Sequence, residues 1–358
     1  MANEKQPVGT NFEDGLQGAA ENVAEFHATE GPLKKLQHWL HQTPSAVPMI
    51  VLIASVIVFA LLSDNFFRAT TMSTILQQIA IVGIIGCAQT LVILTAGIDL
   101  SVGAIAVFSS VLMGQLTFRF GIPAPAAIAL GLAAGAAMGA INGLLISRLK
   151  LPPFIVTLGT WQIYLAANFI FSQNETIRSR EIGEQAPALQ FWGLSIEPGG
   201  VKVLYAVFLM IALVAVMSYV LRQTAWGRHV YAVGDDAEAA QLAGVQTKRM
   251  VLQVYTLAGL FCAIAGWVMI GRFGSVSPTA STGQLGNIQS ITAVVIGGIS
   301  LFGGRGSIIG MFFGALIVGV FEMGLRLVGT DPQWTFFLIG VLIIFAVAVD
   351  QWIRKVSS

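Results

Sequence analysis

The sequence predicts an all-α polytopic membrane protein with about ten transmembrane helices, and three observations predict it. The 358 residues are 55% hydrophobic and 10% charged, with a mean hydropathy of +0.78; a soluble domain carries roughly 25% charged residues on its surface. Apolar runs recur along the chain, each close to the ~20 residues that cross a hydrocarbon core. The 39 glycines fit close helix packing in lipid. A net charge of +1 gives no basic face for nucleic acid. Cys87 and Cys262 both sit in apolar runs and read as free buried thiols.

Residues 1–44 form a polar cytosolic tail with acidic Glu4, Glu13, Asp14, Glu21, Glu25 and Glu30, and no cleavable signal peptide. Within it, Leu33, Leu36, Trp39 and Leu40 share a helical face beside Lys34 and Lys35. This reads either as a brief interfacial helix or as a solvated lead-in. The membrane domain runs over 45–352. Its spans fall at about 45–62, 75–95, 101–118, 122–146, 153–172, 203–221, 251–271, 287–302, 307–328 and 333–350. The weakest junctions are AGIDLS, between the second and third spans, and FGGRGS, between the eighth and ninth. Residues 353–358 form a cytosolic C-terminal tail.

With the N-terminus inside, most of the 19 basic residues lie inside, among them Lys34, Lys35, Arg148, Lys150, Arg222, Arg228, Lys248, Arg249 and Arg305. Arg68, Arg119, Arg178, Arg180, Lys202, Arg272 and Arg326 lie outside. The positive-inside rule therefore favours both termini in the cytosol. The external loop 173–202 is long enough to be a docking surface or a partnerless lid. The internal loop 222–250 is the most polar stretch between spans. Its middle, Asp236 to Leu242, reads as a short helix capped by Asp236 and ended by Gly244. A short cytosolic helix between two spans is a handle that a soluble partner can push.

Inside the membrane, Gly131, Gly135, Gly139 and Gly143 recur every fourth residue, as do Gly306, Gly310 and Gly314. Each set predicts a smooth helix face for close backbone approach. AGIDLSVGA (96–104) and GGISLFGGR (297–305) match at Gly97/Gly298, Ile98/Ile299, Leu100/Leu301 and Gly103/Gly304. The match reads as an internal repeat, common in transporters, or as coincidence in a glycine-rich chain. Asp99, before Ser101, is placed at a membrane boundary as a cap of the third span. Gly303 belongs to the same motif set.

Gln77, Gln89, Asn142, Thr157, Thr160, Trp161 and Asn168 suit a path for a neutral, hydroxyl-rich solute, and equally suit interhelical hydrogen bonds or packing. Glu322 and Arg326 stand four apart and are placed to pair. No His–acid relay crosses the membrane, as a proton-coupled transporter would need. No metal-binding, nucleophile or Walker A motif is present. Energy must then come through a partner, and the 222–250 loop is the expected point of entry.

TAGIDLSVGAIAVFSS (95–110), LKLPPFIVTLGTW (149–161), TAWGRHVYAVGDDAEAAQLAGV (224–245) and VIGGISLFGGRGSIIGMFFGALIVGV (295–320) resemble the permease subunits of bacterial ABC importers for monosaccharides. These are the ribose, xylose, galactose and fructose group, and the wording of 91–176 is nearest to the fructose type. The resemblance implies the fold of the vitamin B12 importer permease and a homodimer in the inner membrane. It implies ATPase subunits on the cytosolic side, which use ATP and Mg that this chain does not bind, and a periplasmic sugar-binding protein outside. It makes 234–245 the coupling helix, with Gly234, Asp235, Asp236, Glu238, Ala239, Ala240, Ala243 and Gly244 as coupling residues. Asp235, Asp236 and Ala243 depart from the family's glycine, asparagine and serine, and the added charge implies a basic complement on the cognate ATPase. An autonomous ion-coupled secondary transporter is the alternative; an integral membrane enzyme lacks any catalytic constellation.

Overall fold

A computed structural model describes residues 46–331 and, beyond them, 333–334, 336–341, 344 and 348, with the backbone alone for 280–285. The described residues fall within one compact unit, Pro44–Ser358. The predicted tails and the Leu33–Leu40 helix lie outside them, as does much of the span at 333–350.

Among the described residues the chain is all-α apart from one hairpin of two-residue strands and an isolated bridge. Its helices are α1 (Ala46–Leu62), α2 (Ala69–Leu94), α3 (Val102–Phe118), α4 (Ala124–Leu149), α5 (Pro153–Ser172) and the short α6 (Ser179–Gln185). A 3-10 turn (Pro187–Gly193) and strands β1 (Ser195–Ile196) and β2 (Val203–Leu204) follow. Then come α7 (Tyr205–Gln223), α8 (Ala225–Asp235), α9 (Ala237–Leu242), α10 (Thr247–Phe273), α11 (Ala280–Ile296) and α12 (Ile308–Leu327).

Among the described residues six helices are long and apolar enough to cross a membrane: α2, α4, α5, α7, α10 and α12. The expected ten are not reached there. α1, α3 and α11 have 17 residues each. The span expected at 287–302 stops at Ile296, because the chain turns at Gly298 (φ 76°), Gly303 (φ 86°) and Gly304 (φ 67°), a backbone region open mainly to glycine.

α2 is the central element. Its sequence is apolar on every face, the pattern of a fully surrounded helix, and every residue from Ile79 to Leu94 is buried. α3, α7, α10, α11 and α12 pack around it. In lipid the hydrophobic effect does not drive helices together, so close van der Waals contact must. The glycine stripe of α4 supplies it. A Cβ at Gly139 would lie 2.1 Å from the Tyr255 carbonyl oxygen of α10, and one at Gly135 2.8 Å from that of Gly259. Gly310 and Gly314 of α12 meet the carbonyls of Gly297 and Ala293 in the same way. Gly306, expected in that stripe, lies before the helix with φ 128°.

Loops gather at two ends of the bundle. At the hairpin end the bridge between Ile177 and Val276 ties 173–204 to the turn after α10, and Lys202 N–H donates to Ser73 Oγ at 2.7 Å. At the opposite, polar-loop end, α8 meets the turns after α2 and α11.

Candidate functional site

The polar-loop end is built from Thr224 onward. Thr224 Oγ1 accepts from Gly227 N–H at 3.2 Å and caps α8. Gly227, Val230 and Val233 then bury one side of that helix. Trp226 Nε1 donates to Gln253 Oε1 at 3.1 Å, and Tyr231 OH donates to the Gly306 carbonyl at 2.9 Å. Burial pushes the Tyr231 hydroxyl pKa up, against the nearby Arg222, so it stays a donor at neutral pH. Asp236 separates α8 from α9 in extended backbone (φ −153°) and accepts from Glu238 and Ala239 N–H, both at 2.9 Å. Gly244 (φ 89°) ends the unit, with Val245 N–H returning to the Ala240 carbonyl at 3.0 Å, a Schellman-type closure.

The predicted coupling residues divide into two classes. Gly234 and Ala240 are buried, whereas Asp235, Asp236, Glu238, Ala239, Ala243 and Gly244 are exposed. Leu242, on the same short helix, is 91% exposed. Beside α9 lies an open groove lined by Arg148, Gln241, Val245, Lys248, Arg249 and Leu252, among others.

Gly234 is where this unit meets the bundle. A Cβ there would lie 1.8 Å from the Leu94 carbonyl oxygen and 2.7 Å from Gly304 N, and Gly304 N–H itself donates to Leu94 O at 3.0 Å. Gly303 in turn faces the Gly234 carbonyl and Ala96. The two loops that look alike in sequence therefore touch each other and the polar loop at one point.

They also share a device. α2 ends with Ala96 at φ 58° and Gly97 N–H bonded to Val92 O; α11 ends with Gly298 at φ 76° and Ile299 N–H bonded to Val294 O. Asp99 Oδ1 then accepts from Ser101 N–H, as Ser300 Oγ accepts from Phe302 N–H. At the helix ends the true counterpart of Gly298 is Ala96, one residue from the expected Gly97. Gly103 and Gly304 are not equivalent: Gly103 is helical and gives its N–H to Asn287 Oδ1 at 2.6 Å.

Asp99 is buried against protein. It is 1% exposed. Ser101, rather than Asp99, precedes the first turn of α3, and Asp99 holds both the N–H and the hydroxyl of Ser101 at 2.7 and 2.6 Å. Asn142 Nδ2 donates to Ser101 Oγ at 2.8 Å, and Tyr164 OH donates to the Met138 carbonyl at 2.9 Å. Thr157 Oγ1 lies 3.0 Å from Ile98 O, while Asn287 Nδ2 donates to Leu100 O at 2.6 Å. Helices α4, α5 and α11 thereby clamp one loop.

The expected path residues fall at several separate points of the structure. Asn142 and Thr157 are ties of this clamp, and Thr160 bonds within its own helix. Trp161 packs, half-buried, against the core. Gln77 is half-buried. Gln89 is fully buried with neither side-chain polar atom partnered among the described residues. Asn168 donates to the Pro278 carbonyl at 3.0 Å at the hairpin end. The expected Glu322–Arg326 pair does not form either: Glu322 Oε2 instead accepts from Gln78 of α2 and Gln289 of α11, amides that reach it across the helix seam. Both cysteines are free and buried. Among the described residues no group of His, Cys, Asp and Glu could hold a metal ion.

A family model described as branched-chain amino acid transport system / permease component matches residues 71–347. The chain belongs to this permease family. The permease is 63% identical to the fructose import permease protein FrcC of Rhizobium meliloti, over 97% of this chain and 96% of that protein. It is 34% identical to the ribose import permease protein RbsC of Escherichia coli K12 (87% and 94% covered) and 33% identical to the galactose/methyl galactoside import permease protein MglC of the same strain (85% and 92%). No solved structure matches the permease. It is thus a membrane-spanning, non-catalytic translocation subunit of an ABC-type importer, and the reading as an autonomous secondary transporter falls away.

Three features of the permease went unread in the sequence. α8 was signalled by Trp226, Val230 and Val233 at helical spacing behind a Thr cap. In the sequence Leu242 reads only as a helix former, and its exposure appears only in the structure. Asn287 carried no signal, since its partners lie 184 and 187 residues away in sequence.

Proposed function

We propose that this permease forms the passage for a neutral monosaccharide, fructose or ribose first among them, in an ATP-driven importer, and that α9 is its coupling helix. It acts as a homodimer in the bacterial inner membrane, with both termini cytosolic. Each copy has about ten spans in the fold of the vitamin B12 importer permease. ATPase subunits, which use ATP and Mg, dock on α9, and a periplasmic sugar-binding protein docks on 173–202.

One observation carries the coupling reading: the contact of Gly234 with Leu94 O and Gly304 N. A partner that pushes exposed α9 moves α8, and α8 has no side chain at Gly234 to absorb the movement. The push therefore reaches the ends of α2 and α11 and the loops that lead into α3 and α12. Leu242 is the apolar anchor that such a partner would bury, with the basic groove of Arg148, Lys248 and Arg249 beside it.

The substrate class follows from the three relatives, all named for sugars. The family description names branched-chain amino acids, so the test must include one. The permease is reconstituted in proteoliposomes with its ATPase and binding protein, and ATP hydrolysis is measured across monosaccharides and leucine. Stimulation by fructose is expected. No stimulation by any monosaccharide overturns the sugar reading, and stimulation by leucine alone replaces it.

A further inference from the structure

A niche opens at the hairpin end between α3, α10 and the turn that follows α10. Its volume is about 220 Å³, and it is lined by Val107, Ser110, Met269, Phe273, Ser275 and Ser277. We propose that this niche is a monosaccharide contact site on the translocation route; the proposal rests on the sugar reading above and names the residues that would meet the sugar.

The chain builds the niche from fixed parts. Val107 and Ser110 stand three apart on one face of α3, and Met269 and Phe273 stand four apart on one face of α10, so each pair points the same way. Gly274, at φ 68°, turns the chain sharply out of α10. The Ile177–Val276 bridge then pins the turn with bonds of 2.9 and 3.1 Å. Asn168 of α5 ties it again through the Pro278 carbonyl. Ser275 and Ser277 flank the bridged residue Val276 and are held where they are.

The lining chemistry suits a neutral polyol. Each serine hydroxyl is one donor and two acceptors. Ser110 gives its proton to the Val107 carbonyl at 2.7 Å, which leaves acceptor capacity free. Ser277 Oγ lies 2.6 Å from Thr279 Oγ1. Ser275 makes no side-chain hydrogen bond among the described residues. Phe273 is 52% exposed and offers a flat apolar surface to the C–H face of a sugar ring. The Arg272 guanidinium stands over that ring, 5.2 Å from its centroid, and is not among the lining residues. No lining residue is charged. Arg272 beside the niche can meet a carboxylate, but the ammonium of a zwitterionic amino acid would find no charged partner in the lining, at a desolvation cost; a sugar carries no charge to pair. The volume corresponds to roughly seven waters at about 30 Å³ each, which is the scale of one monosaccharide.

The test uses the full permease in nanodiscs and in the reconstituted complex. Phe273→Trp is titrated with fructose, and its emission is compared with that of the wild type. A saturable change with fructose and none with leucine is expected. Ser275→Ala should weaken that apparent affinity about three- to tenfold, the size of one lost hydrogen bond. Phe273→Leu should lower sugar uptake by the complex, and Phe273→Tyr, which keeps the ring, should restore it. If the wild-type complex imports fructose while Phe273→Trp is indifferent to it and Phe273→Leu imports as fast, the niche is not on the route and the inference falls alone. If no monosaccharide stimulates the wild-type complex, the sugar reading fails first. A response of Phe273→Trp to leucine overturns the neutral-polyol assignment.

Discussion

At the polar-loop end of the bundle, backbone meets backbone: Gly234 lies on Leu94 O, Gly303 on Gly234 O, and Gly304 N–H on Leu94 O. At the hairpin end backbone also meets backbone, Gly193 on Gly271 and Ile177 on Val276, but around these points side chains meet side chains. Trp192 stands edge-on to Trp267 with ring centroids 5.4 Å apart, and Ile177, Ile182, Leu189, Ile270 and Val276 fill one apolar cluster. Side chains that interdigitate can change rotamer and slide, whereas a backbone seated on a backbone can only move with it. The first end is suited to transmitting a displacement, and the second to adapting to a protein that docks and leaves.

The sharpest way to break this contrast is Gly234→Val. Its side chain would collide with the Leu94 carbonyl, so sugar-stimulated ATP hydrolysis and uptake should both be lost. Activity close to wild type would show that the contact does not transmit. Leu242→Asp should come next. The residue is 91% exposed, so thermal stability should stay within about 0.5 kcal/mol, while copurification of the ATPase and uptake fall by at least about tenfold, as for the loss of an apolar anchor. Trp192→Ala probes the other end. Trp→Ala in a full core costs about 3–5 kcal/mol, and this half-buried indole should cost about half of that in thermal unfolding, with uptake reduced far less than by Gly234→Val. Asp236→Ala should be the smallest, about 1 kcal/mol for a lost cap, with Asp236→Asn near wild type by the same measurement. Asp235→Lys separates charge from capping: it should impair pairing with the cognate ATPase and leave stability unchanged, and intact coupling would remove the case for a basic complement.

Local signals were legible in the sequence because they act over one or two turns. Asp236 followed by AEAAQL announces a capped helix, and Gly244 announces its end, since both depend only on neighbouring backbone. The every-fourth glycines of α4 announce a close-packed face, because helix geometry puts them on one side. The span count read less well. Hydropathy merges 287–302 into one run, since Gly297–Phe302 is as apolar as the helix before it, and only backbone conformation reveals the break. Asp99 shows a related limit: the sequence places a carboxylate beside an apolar run, and only the fold shows it buried among Ser101 and Asn142, the latter 43 positions on.

The sequence by itself determined the membrane class, the order of the helices, the resemblance to importer permeases and the position of the short polar helix. Composition, periodicity and capping are local properties, and they survive without knowledge of the fold. Only the tertiary structure decided that the two similar loops meet, that Gly234 is their meeting point, that Asn287 clamps the start of α3, and that Glu322 is held by two glutamines and not by Arg326. Each of these is a contact between residues far apart in the chain. Its strength depends on distances of a few ångströms that a linear pattern does not encode.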